Sequence, residues 1–290
     1  MISENHWLKT RPIAHRGLHN ETCPENSLPA FLNAAEQGVP IELDVHISTD
    51  GVLFVFHDDN ALRMTDLDAD VNQMTFAEIK KLKLKKPWKQ NSGLGGFNGF
   101  DESFDPKEDI YVASEYGIPT FDEVLNAVAG RVPLLIETKS DLGTKGRDNI
   151  LERKLSERMA AYEKECAAAG RECEYALQSF DPRSIRALKK LNPEYITGQL
   201  SQDMSHKEMG SFSKWVFSGC RLCFYGRPDF IAYKGADLPV PRIMAKHRKG
   251  MPLLVWTVRS DKEEKKARKY CDNIIYEKYT PAAYRETGEQ

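Results

Sequence analysis

The stretch IELDVHI, residues 41–47, places two carboxylates two positions apart within a run of strand-forming residues. Side chains two positions apart on a β-strand point the same way, so Glu42 and Asp44 share one face. Leu43 and Val45 lie on the other face, where they can pack against helices while the carboxylates point into an open end. A carboxylate pair at this spacing can hold one cation, although such a pair alone is most often a surface feature.

Strand-like runs alternate with helical patterns on both sides of this stretch. The strand candidates cover residues 12–17, 41–47, 52–58, 133–139, 173–180, 194–200, 229–233, 252–258 and 273–277. The helical patterns cover residues 27–38, 75–84, 120–130, 146–169, 182–191 and 261–269. This alternation predicts an α/β fold with parallel strands, and a TIM (β/α)8 barrel is the expected architecture for 290 residues. Nine candidates exceed the eight strands of a barrel, and the weakest patterns are 194–200, 229–233 and 273–277.

The periodic pattern is lost between residues 85 and 119. NSGLGGFNGF, residues 91–100, is rich in glycine and asparagine, and the stretch that follows it is acidic. The chain has no internal repeat and no linker that divides it. We therefore predict a single domain over residues 1–290 with a loop insertion after the third strand, at about 85–119.

Composition and charge argue against several classes of protein. The 41 basic and 43 acidic residues leave a net charge of −2, which gives no broad electrostatic case for binding nucleic acid. The sequence shows neither a signal-peptide pattern nor a run of about 20 apolar residues, so we expect a cytoplasmic protein without membrane insertion. Six cysteines form no disulfide framework. The C-x-x-C of Cys220 and Cys223 lacks the two further ligands of a structural zinc site.

Polar side chains recur at the carboxyl ends of the predicted strands. In chain order they are His15 and Arg16, Glu42 and Asp44, His57, Glu137 and Lys139, and Trp256 near the end of a late strand. The active site of a TIM barrel forms at this face, from the ends of several strands. Each group alone has an ordinary explanation, such as an ion pair, a loop contact or a core tryptophan. The ordered set favours a functional site.

The carboxylates of Glu42, Asp44 and Glu137 would repel one another strongly if they met at this face. Lys139 can offset one of the negative charges, and a divalent cation is the simplest way to offset the others. Carboxylate and water ligands suit a hard cation. The sequence therefore predicts Mg²⁺ or Ca²⁺, with Mn²⁺ as a further candidate.

The same residues belong to an ordered set of motifs. The set comprises HRG (15–17), PENS (24–27), IELDV (41–45), DG (50–51), HD (57–58), LRMT (62–65), IPTFDEVL (118–125), IETK (136–139), QSF (178–180) and WTV (256–258). In this order the chain resembles the glycerophosphodiester phosphodiesterase family, over residues 12 to 281.

The resemblance implies a metal-dependent TIM-barrel hydrolase. It would cleave small-molecule glycerophosphodiesters, such as glycerophosphocholine or glycerophosphoethanolamine, to sn-glycerol 3-phosphate and an alcohol. The implied residues are Glu42, Asp44 and Glu137 for the metal, His15 and His57 for acid–base catalysis, Arg16 for the phosphate, and Lys139 and Trp256 for the rest of the substrate. Our hypothesis takes His15 as the base and His57 as the acid, with either water or the adjacent glycerol hydroxyl as the nucleophile.

The chain departs from the family pattern at two places. Arg259 follows WTV where asparagine is more usual, which alters the mouth of the site near the alcohol group. Tyr276 and Glu277 stand where the family usually has a Thr-Asp pair, so the family's role for that pair is not carried over to them. His19, four residues beyond His15, is interpreted as a loop residue.

Three other readings use the same residues differently. A phosphodiesterase of the lysophospholipase D type could act on the same barrel with the same histidines. A metal-dependent aldolase or lyase barrel also uses paired carboxylates, but it has no need for the histidines of HRG and HD. A barrel that only binds its ligand is disfavoured by the complete set of polar groups. The sequence does not indicate an oligomeric state.

Overall fold

Eight parallel strands close into a barrel in the computed structural model, which describes residues 2–87, 111–140, 149–203 and 220–285. The strands of the described residues are β1 (Ile13–Ala14), β2 (Ile41–Ile47), β3 (Leu53–Val55), β4 (Lys83–Pro87), β5 (Tyr111–Gly117), β6 (Leu134–Thr138), β7 (Tyr175–Ser179), β8 (Thr197–Ser201), β9 (Phe230–Lys234), β10 (Leu253–Val258) and β11 (Asn273–Tyr276). The order around the barrel is β1, β11, β10, β9, β8, β7, β6 and β2, and pairing of β2 with β1 closes the ring. The predicted TIM barrel is confirmed.

Helices lie between most of the barrel strands. The helices of the described residues are α1 (Trp7–Thr10), α2 (Leu28–Glu36), α3 (Phe76–Ile79), α4 (Phe121–Val128), α5 (Ile150–Ala168), α6 (Pro182–Leu191), α7 (Cys223–Gly226), α8 (Pro241–His247), α9 (Asp261–Ala267) and α10 (Ala282–Arg285). Local sequence explains where α4 begins, because the Thr120 hydroxyl accepts from the Glu123 amide and the Glu123 carboxylate accepts from the Thr120 amide. Within the described ranges, no helix has the length and apolar character needed to cross a bilayer.

Alternate residues of the barrel strands fill two apolar layers. The inner layer consists of Ile13, Leu135, Ala176, Leu200, Phe230, Ala232, Leu254 and Ile275, together with Trp7 and Leu8 of α1. Residues of opposite parity, such as Leu43 and Ile136, belong to the outer layer that packs against the helices. Because Asn273 at the start of β11 donates through Nδ2 to the Leu8 carbonyl, α1 closes the amino-terminal end of the barrel. The carboxyl end is left for the polar side chains.

The strand predicted at 52–58 is the ninth candidate and lies outside the barrel. It forms β3, which pairs antiparallel with the end of β2 through the register Val45 with Val55. His57 therefore does not end a barrel strand, contrary to the sequence-based expectation. The hairpin returns the chain to the barrel mouth, where the Phe56 amide donates to the Asp44 carbonyl over 3.0 Å. The three weakest candidates form β8, β9 and β11 of the barrel.

The helix predicted over residues 75–84 is also shorter than expected. Only Phe76–Ile79 is helical, and Lys83–Pro87 forms β4, which pairs antiparallel with β5. Leu84 is buried in this strand, Lys83 before it is exposed, and Lys85–Pro87 after it are half-buried. The predicted insertion thus begins within a strand, and its central part, residues 88–110, lies outside the described residues.

Candidate active site

A cavity of about 960 Å³ opens at the carboxyl ends of the barrel strands, a volume at the upper end of small-molecule sites. Among the residues that line it are His15, Arg16, Glu42, His57, Glu137, Lys139 and Trp256. Asp44 is buried beside them, with Oδ1 2.8 Å from Lys139 Nζ. The structure therefore brings all eight predicted site residues to one place.

Three buried carboxylates meet at the base of this cavity. Asp44 lies opposite Glu137 in the parallel register of β2 and β6, and Glu42 precedes Asp44 by two residues. Ligand oxygens from the three groups all lie within 4.8 Å of one another. Lys139 Nζ bridges two of them, at 2.6 Å from Glu137 Oε1 and 2.8 Å from Asp44 Oδ1.

Burial and the neighbouring charges give the three carboxylates different pKa values. Burial, with the charges of Asp44 and Glu137 added, raises the pKa of Glu42 well above its usual range. Burial also raises the pKa of Glu137, Lys139 opposes this shift and Asp44 adds to it, which leaves the pKa at about 7. Burial acts on Asp44 in the same direction, but Lys139, His57 and Arg16 outweigh it and hold its pKa well below the usual range. Lys139 and Arg16 thus keep Asp44 ionised but leave the pKa of both glutamates raised.

The donor set at this place fits a hard divalent cation. It offers carboxylate oxygens from Glu42, Asp44 and Glu137, and Mg²⁺ and Ca²⁺ prefer oxygen ligands. Two amide side chains hold carboxylate oxygens of this set in place. Asn26 Nδ2 donates to Asp44 Oδ2 over 2.7 Å, and Gln178 Nε2 donates to Glu42 Oε1 over 3.2 Å. The amide oxygens of both are buried and have no hydrogen-bond partner among the described residues.

The turn after β1 presents Arg16 to the carboxylates. Arg16 and Gly17 both have left-handed backbone conformations, with φ of 56° and 80°. A side chain at Gly17 would place its Cβ 2.9 Å from the backbone of Ala30, so only glycine fits where this turn touches α2. The Arg16 amide donates to Glu42 Oε2 over 3.2 Å. A non-glycine residue at positive φ costs about 1–3 kcal/mol, and this strain is typical of functional turns.

His57 is held by a chain of ion pairs that leads back to Arg16. Its Nδ1 lies 2.7 Å from Asp58 Oδ1, and Asp58 Oδ2 accepts from Arg63 Nε over 2.6 Å. Arg63 Nη2 donates to Glu25 Oε1 over 2.6 Å. The same Glu25 oxygen accepts from Arg16 Nη1, also over 2.6 Å. A single network therefore fixes a histidine and an arginine on the same side of the cavity.

His15, directly after β1, is held by a carboxylate in a similar way. Its Nδ1 lies 2.5 Å from Glu277 Oε2, and Arg259 Nε donates to Glu277 Oε1 over 2.7 Å. His19 Nε2 lies 3.7 Å from the same carboxylate and its side chain is 6% exposed. Both catalytic candidates, His15 and His57, thus use Nδ1 for a carboxylate, and this leaves Nε2 for another partner.

Burial and nearby cations hold both histidines neutral at pH 7. Burial, with Lys139 and Arg16, lowers the pKa of His57 to about 4. Burial and Arg16 lower the pKa of His15, and Glu277 opposes the shift. Because each Nδ1 faces an ionised carboxylate, Nδ1 carries the proton and Nε2 has the lone pair that can accept one.

Trp256 forms part of an apolar wall of the cavity. Its ring packs edge-on against Phe180, with the centroids 5.7 Å apart. Its indole Nε1 is buried and has no hydrogen-bond partner among the described residues. A buried indole N–H without a partner can donate to a polar group of a ligand.

Sequence reasoning missed the residues that hold the predicted ones. The sequence predicts no role for Glu277 and only a loop position for His19, yet Glu277 contacts His15 and His19 lies 3.7 Å from Glu277. Glu25 and Arg63 lie within the motifs PENS and LRMT, which do not indicate that these residues hold Arg16 and His57. Glu277 is a charged residue directly after a buried strand, the same pattern that marks the other site residues. It differs from the family pattern at this position, so the motif comparison does not identify it.

Comparisons with known proteins find relatives along most of the chain. The profile of the glycerophosphoryl diester phosphodiesterase family matches residues 15–278 of the chain. A glycerophosphodiester phosphodiesterase of Caldanaerobacter subterraneus subsp. tengcongensis is 30% identical over 272 residues, which cover 92% of this chain and 94% of that protein. One from Bacillus subtilis is 27% identical over 251 residues, covering 86% of this chain and 76% of the relative.

Solved structures share the barrel. An Oleispira antarctica phosphodiesterase in complex with the product sn-glycerol 3-phosphate superposes with a TM-score of 0.66 at 20% identity, covering 97% of each chain. A glycerophosphodiester phosphodiesterase from Thermotoga maritima superposes with a TM-score of 0.58 at 21% identity, covering 92% of this chain and 94% of the other. At these identities the likeness establishes the fold.

Proposed function

The chain belongs to the glycerophosphoryl diester phosphodiesterase family, and from this membership we propose that it hydrolyses glycerophosphodiesters in the cavity at the carboxyl face of its barrel. The products would be sn-glycerol 3-phosphate and an alcohol such as choline or ethanolamine. One observation supports this best. Two histidines, each anchored through Nδ1 to a carboxylate, share a cavity with a cluster of three buried carboxylates.

We assign the binding of the phosphodiester anion to Arg16 and Lys139. Both side chains are cationic and line the cavity. Arg16 offers guanidinium N–H groups, which suit phosphate oxygens, and Lys139 contributes charge next to Glu137 and Asp44. Glu42, Asp44 and Glu137 would hold a divalent cation, and when bound this ion supplies positive charge toward the phosphate oxygens. Trp256 would contact the remaining part of the substrate.

His15 and His57 form the acid–base pair of the proposal. Cleavage of a phosphodiester requires one group to take a proton from the attacking oxygen and another to return one to the leaving alkoxide. Histidine suits both steps near neutral pH. Both rings are neutral in the free protein, so the one that acts as the acid must first take up a proton, which the negative charge of a bound phosphodiester favours. The two anchored rings line the same cavity and come from different segments, the end of β1 and the loop after β3, and we propose that the phosphate binds between them. Water and the adjacent glycerol hydroxyl both remain candidates for the nucleophile.

We infer that the protein works in a reducing compartment such as the cytoplasm. We also propose that residues 1–290 form a single domain. All six cysteines are free, which supports the choice of compartment.

A substrate panel tests the function. We expect the protein to release sn-glycerol 3-phosphate from glycerophosphocholine and glycerophosphoethanolamine in the presence of Mg²⁺ or Ca²⁺. Lysophosphatidylcholine should be a poor substrate, and choline release from it as the main activity would instead assign a lysophospholipase D. Failure to release glycerol 3-phosphate from either diester with any of Mg²⁺, Ca²⁺ or Mn²⁺ would contradict the proposal.

Loss of the arginine between the two anchoring carboxylates should slow the reaction moderately. Arg63→Gln removes the charge that Asp58 and Glu25 share, so both His57 and Arg16 lose part of their support. We expect kcat to fall by about tenfold, the lower end of the effect of removing an outer-shell partner.

The matched control for this substitution is Arg158→Gln. Arg158 also bridges two carboxylates, those of Asp122 and Glu165, but it lies on α5 away from the cavity. Its kcat should stay within about twofold of the wild-type value. An equal loss of kcat in both variants would show that the effect of Arg63 is one of general stability.

A further inference from the structure

The carboxylate of Glu277 connects two side chains at the cavity. Oε2 lies 2.5 Å from His15 Nδ1, and Oε1 accepts from Arg259 Nε over 2.7 Å. Glu277 is buried, whereas the Arg259 side chain is 41% exposed and lines the cavity. Both carboxylate oxygens therefore have defined partners, and the orientation of the carboxylate is fixed from two sides.

Pairing of three neighbouring barrel strands brings these residues into a row. The His15 amide donates to the Tyr276 carbonyl over 2.8 Å, which sets the end of β1 beside the end of β11. The Glu277 amide donates to the Val258 carbonyl over 3.0 Å, which sets β11 beside β10. Arg259, Glu277 and His15 thus follow three adjacent strand ends. Backbone hydrogen bonds fix their spacing, so the arrangement does not depend on a flexible loop.

The charges of the row support one another. Burial alone would raise the pKa of Glu277, but His15, His19 and Arg259 hold it well below the usual range, so the group is ionised. An ionised carboxylate at Nδ1 keeps the Nδ1–H tautomer of His15 and stabilises the imidazolium that forms when Nε2 takes a proton. The guanidinium prevents the carboxylate from rotating away.

We propose that Glu277 is the positioning residue of His15 and that Arg259 acts on the reaction through Glu277 rather than by binding substrate. The inference rests on the role of His15 in the proposed function. Glu277 touches the histidine and not the substrate, so its effect should exist only while His15 is present. Arg259, although exposed to the cavity, should in turn act only while Glu277 is ionised.

Double-mutant cycles test both links, with glycerophosphocholine as substrate and saturating Mg²⁺. Glu277→Gln should lower kcat by about 10²-fold in the wild-type background, and by less than about twofold in His15→Ala. Arg259→Gln should lower kcat by about tenfold with little change in KM, and should add nothing in the Glu277→Gln background. Circular dichroism and thermal melting confirm that each variant folds, and Glu277→Asp replaces Glu277→Gln if the latter does not.

A matched control is Glu264→Gln on α9. Glu264 is likewise buried and paired with an arginine, Arg268, but it does not line the cavity. Its kcat should remain within about twofold of wild type.

An equal effect of Glu277→Gln with and without His15 would overturn the inference while leaving the proposed function intact. A raised KM for Arg259→Gln that persists in the Glu277→Gln background would also overturn it, by assigning Arg259 to the substrate. Wild-type kcat in His15→Ala would overturn both the role of His15 and this inference.

Discussion

Replacement of His57 by alanine should lower kcat by at least about 10²-fold, the usual contribution of a positioned acid–base group. His57 has the geometry of such a group, because Nδ1 is fixed 2.7 Å from Asp58 and the ring lines the cavity beside the carboxylate cluster. Its pKa of about 4 keeps the free ring neutral at pH 7, with a lone pair on Nε2. Alanine removes the proton carrier but none of the metal-ligand oxygens. The effect should therefore fall on kcat and not on metal affinity.

The experiment measures kcat with glycerophosphocholine together with Mg²⁺ affinity by calorimetry. His247→Ala provides the control. His247 is the last residue of α8, pairs with Asp272 and does not line the cavity. It should retain a kcat within about twofold of wild type. Near-normal turnover in His57→Ala would contradict the acid–base assignment. A large loss of Mg²⁺ affinity in the same variant would show that His57 contributes to the cation site instead.

The carboxylate cluster was predictable from local sequence, and the anchoring groups were not. Glu42 with Asp44 and Glu137 with Lys139 follow from the period of two of a strand, which requires no knowledge of neighbouring strands. That these pairs meet depends only on parallel pairing in a barrel, which the alternation of strands and helices already indicates. The register of β2 with β6 then places Asp44 opposite Glu137.

Contacts between residues that are far apart in the sequence could not be predicted from these local patterns. His15 and Glu277 are 262 residues apart, and their contact exists because the last strand pairs with the first when the barrel closes. His57 reaches the site through a hairpin that folds back over the barrel mouth, and an alternating pattern alone does not distinguish this hairpin strand from a barrel strand. Arg63 and Glu25, which anchor His57 and Arg16, are 38 residues apart in the chain. Motifs identified these positions, but only the folded chain shows which carboxylate holds which histidine.

Removal of divalent metal should lower kcat by at least about 10³-fold, since charge stabilisation of several kcal/mol by a metal corresponds to a factor of this size. Glu42, Asp44 and Glu137 would then remain as three carboxylates with Lys139 as their nearest cation. Dialysis against EDTA followed by addition of Mg²⁺ or Ca²⁺ measures the effect. Activity should return on addition of the metal, and full activity in the presence of chelator would refute the cation site.

Proton competition gives the cation site a pH dependence of known sign. A cation must displace protons from Glu137, whose pKa is about 7, and from Glu42, whose pKa is also raised well above its usual range by burial and by its two acidic neighbours. Protonated carboxylates predominate below these pKa values, so metal affinity should rise with pH. We expect the Kd for Mg²⁺ at pH 6 to exceed that at pH 8 by at least about tenfold, the effect of one displaced proton. Calorimetric titration at pH 6, 7 and 8 measures it.

Glu137→Gln separates the titrating group from the other ligands. The amide cannot take up the competing proton, so the variant should bind Mg²⁺ more weakly at pH 8 and show a pH dependence reduced by about one proton. Asp122→Asn, which removes an exposed carboxylate on α4, should keep both the affinity and the full pH dependence. An unchanged slope in Glu137→Gln would mean that the proton is displaced from Glu42 alone. A Kd independent of pH in the wild-type protein would mean that the cation binds elsewhere, because no ion can occupy this cluster while its carboxyl groups keep their protons.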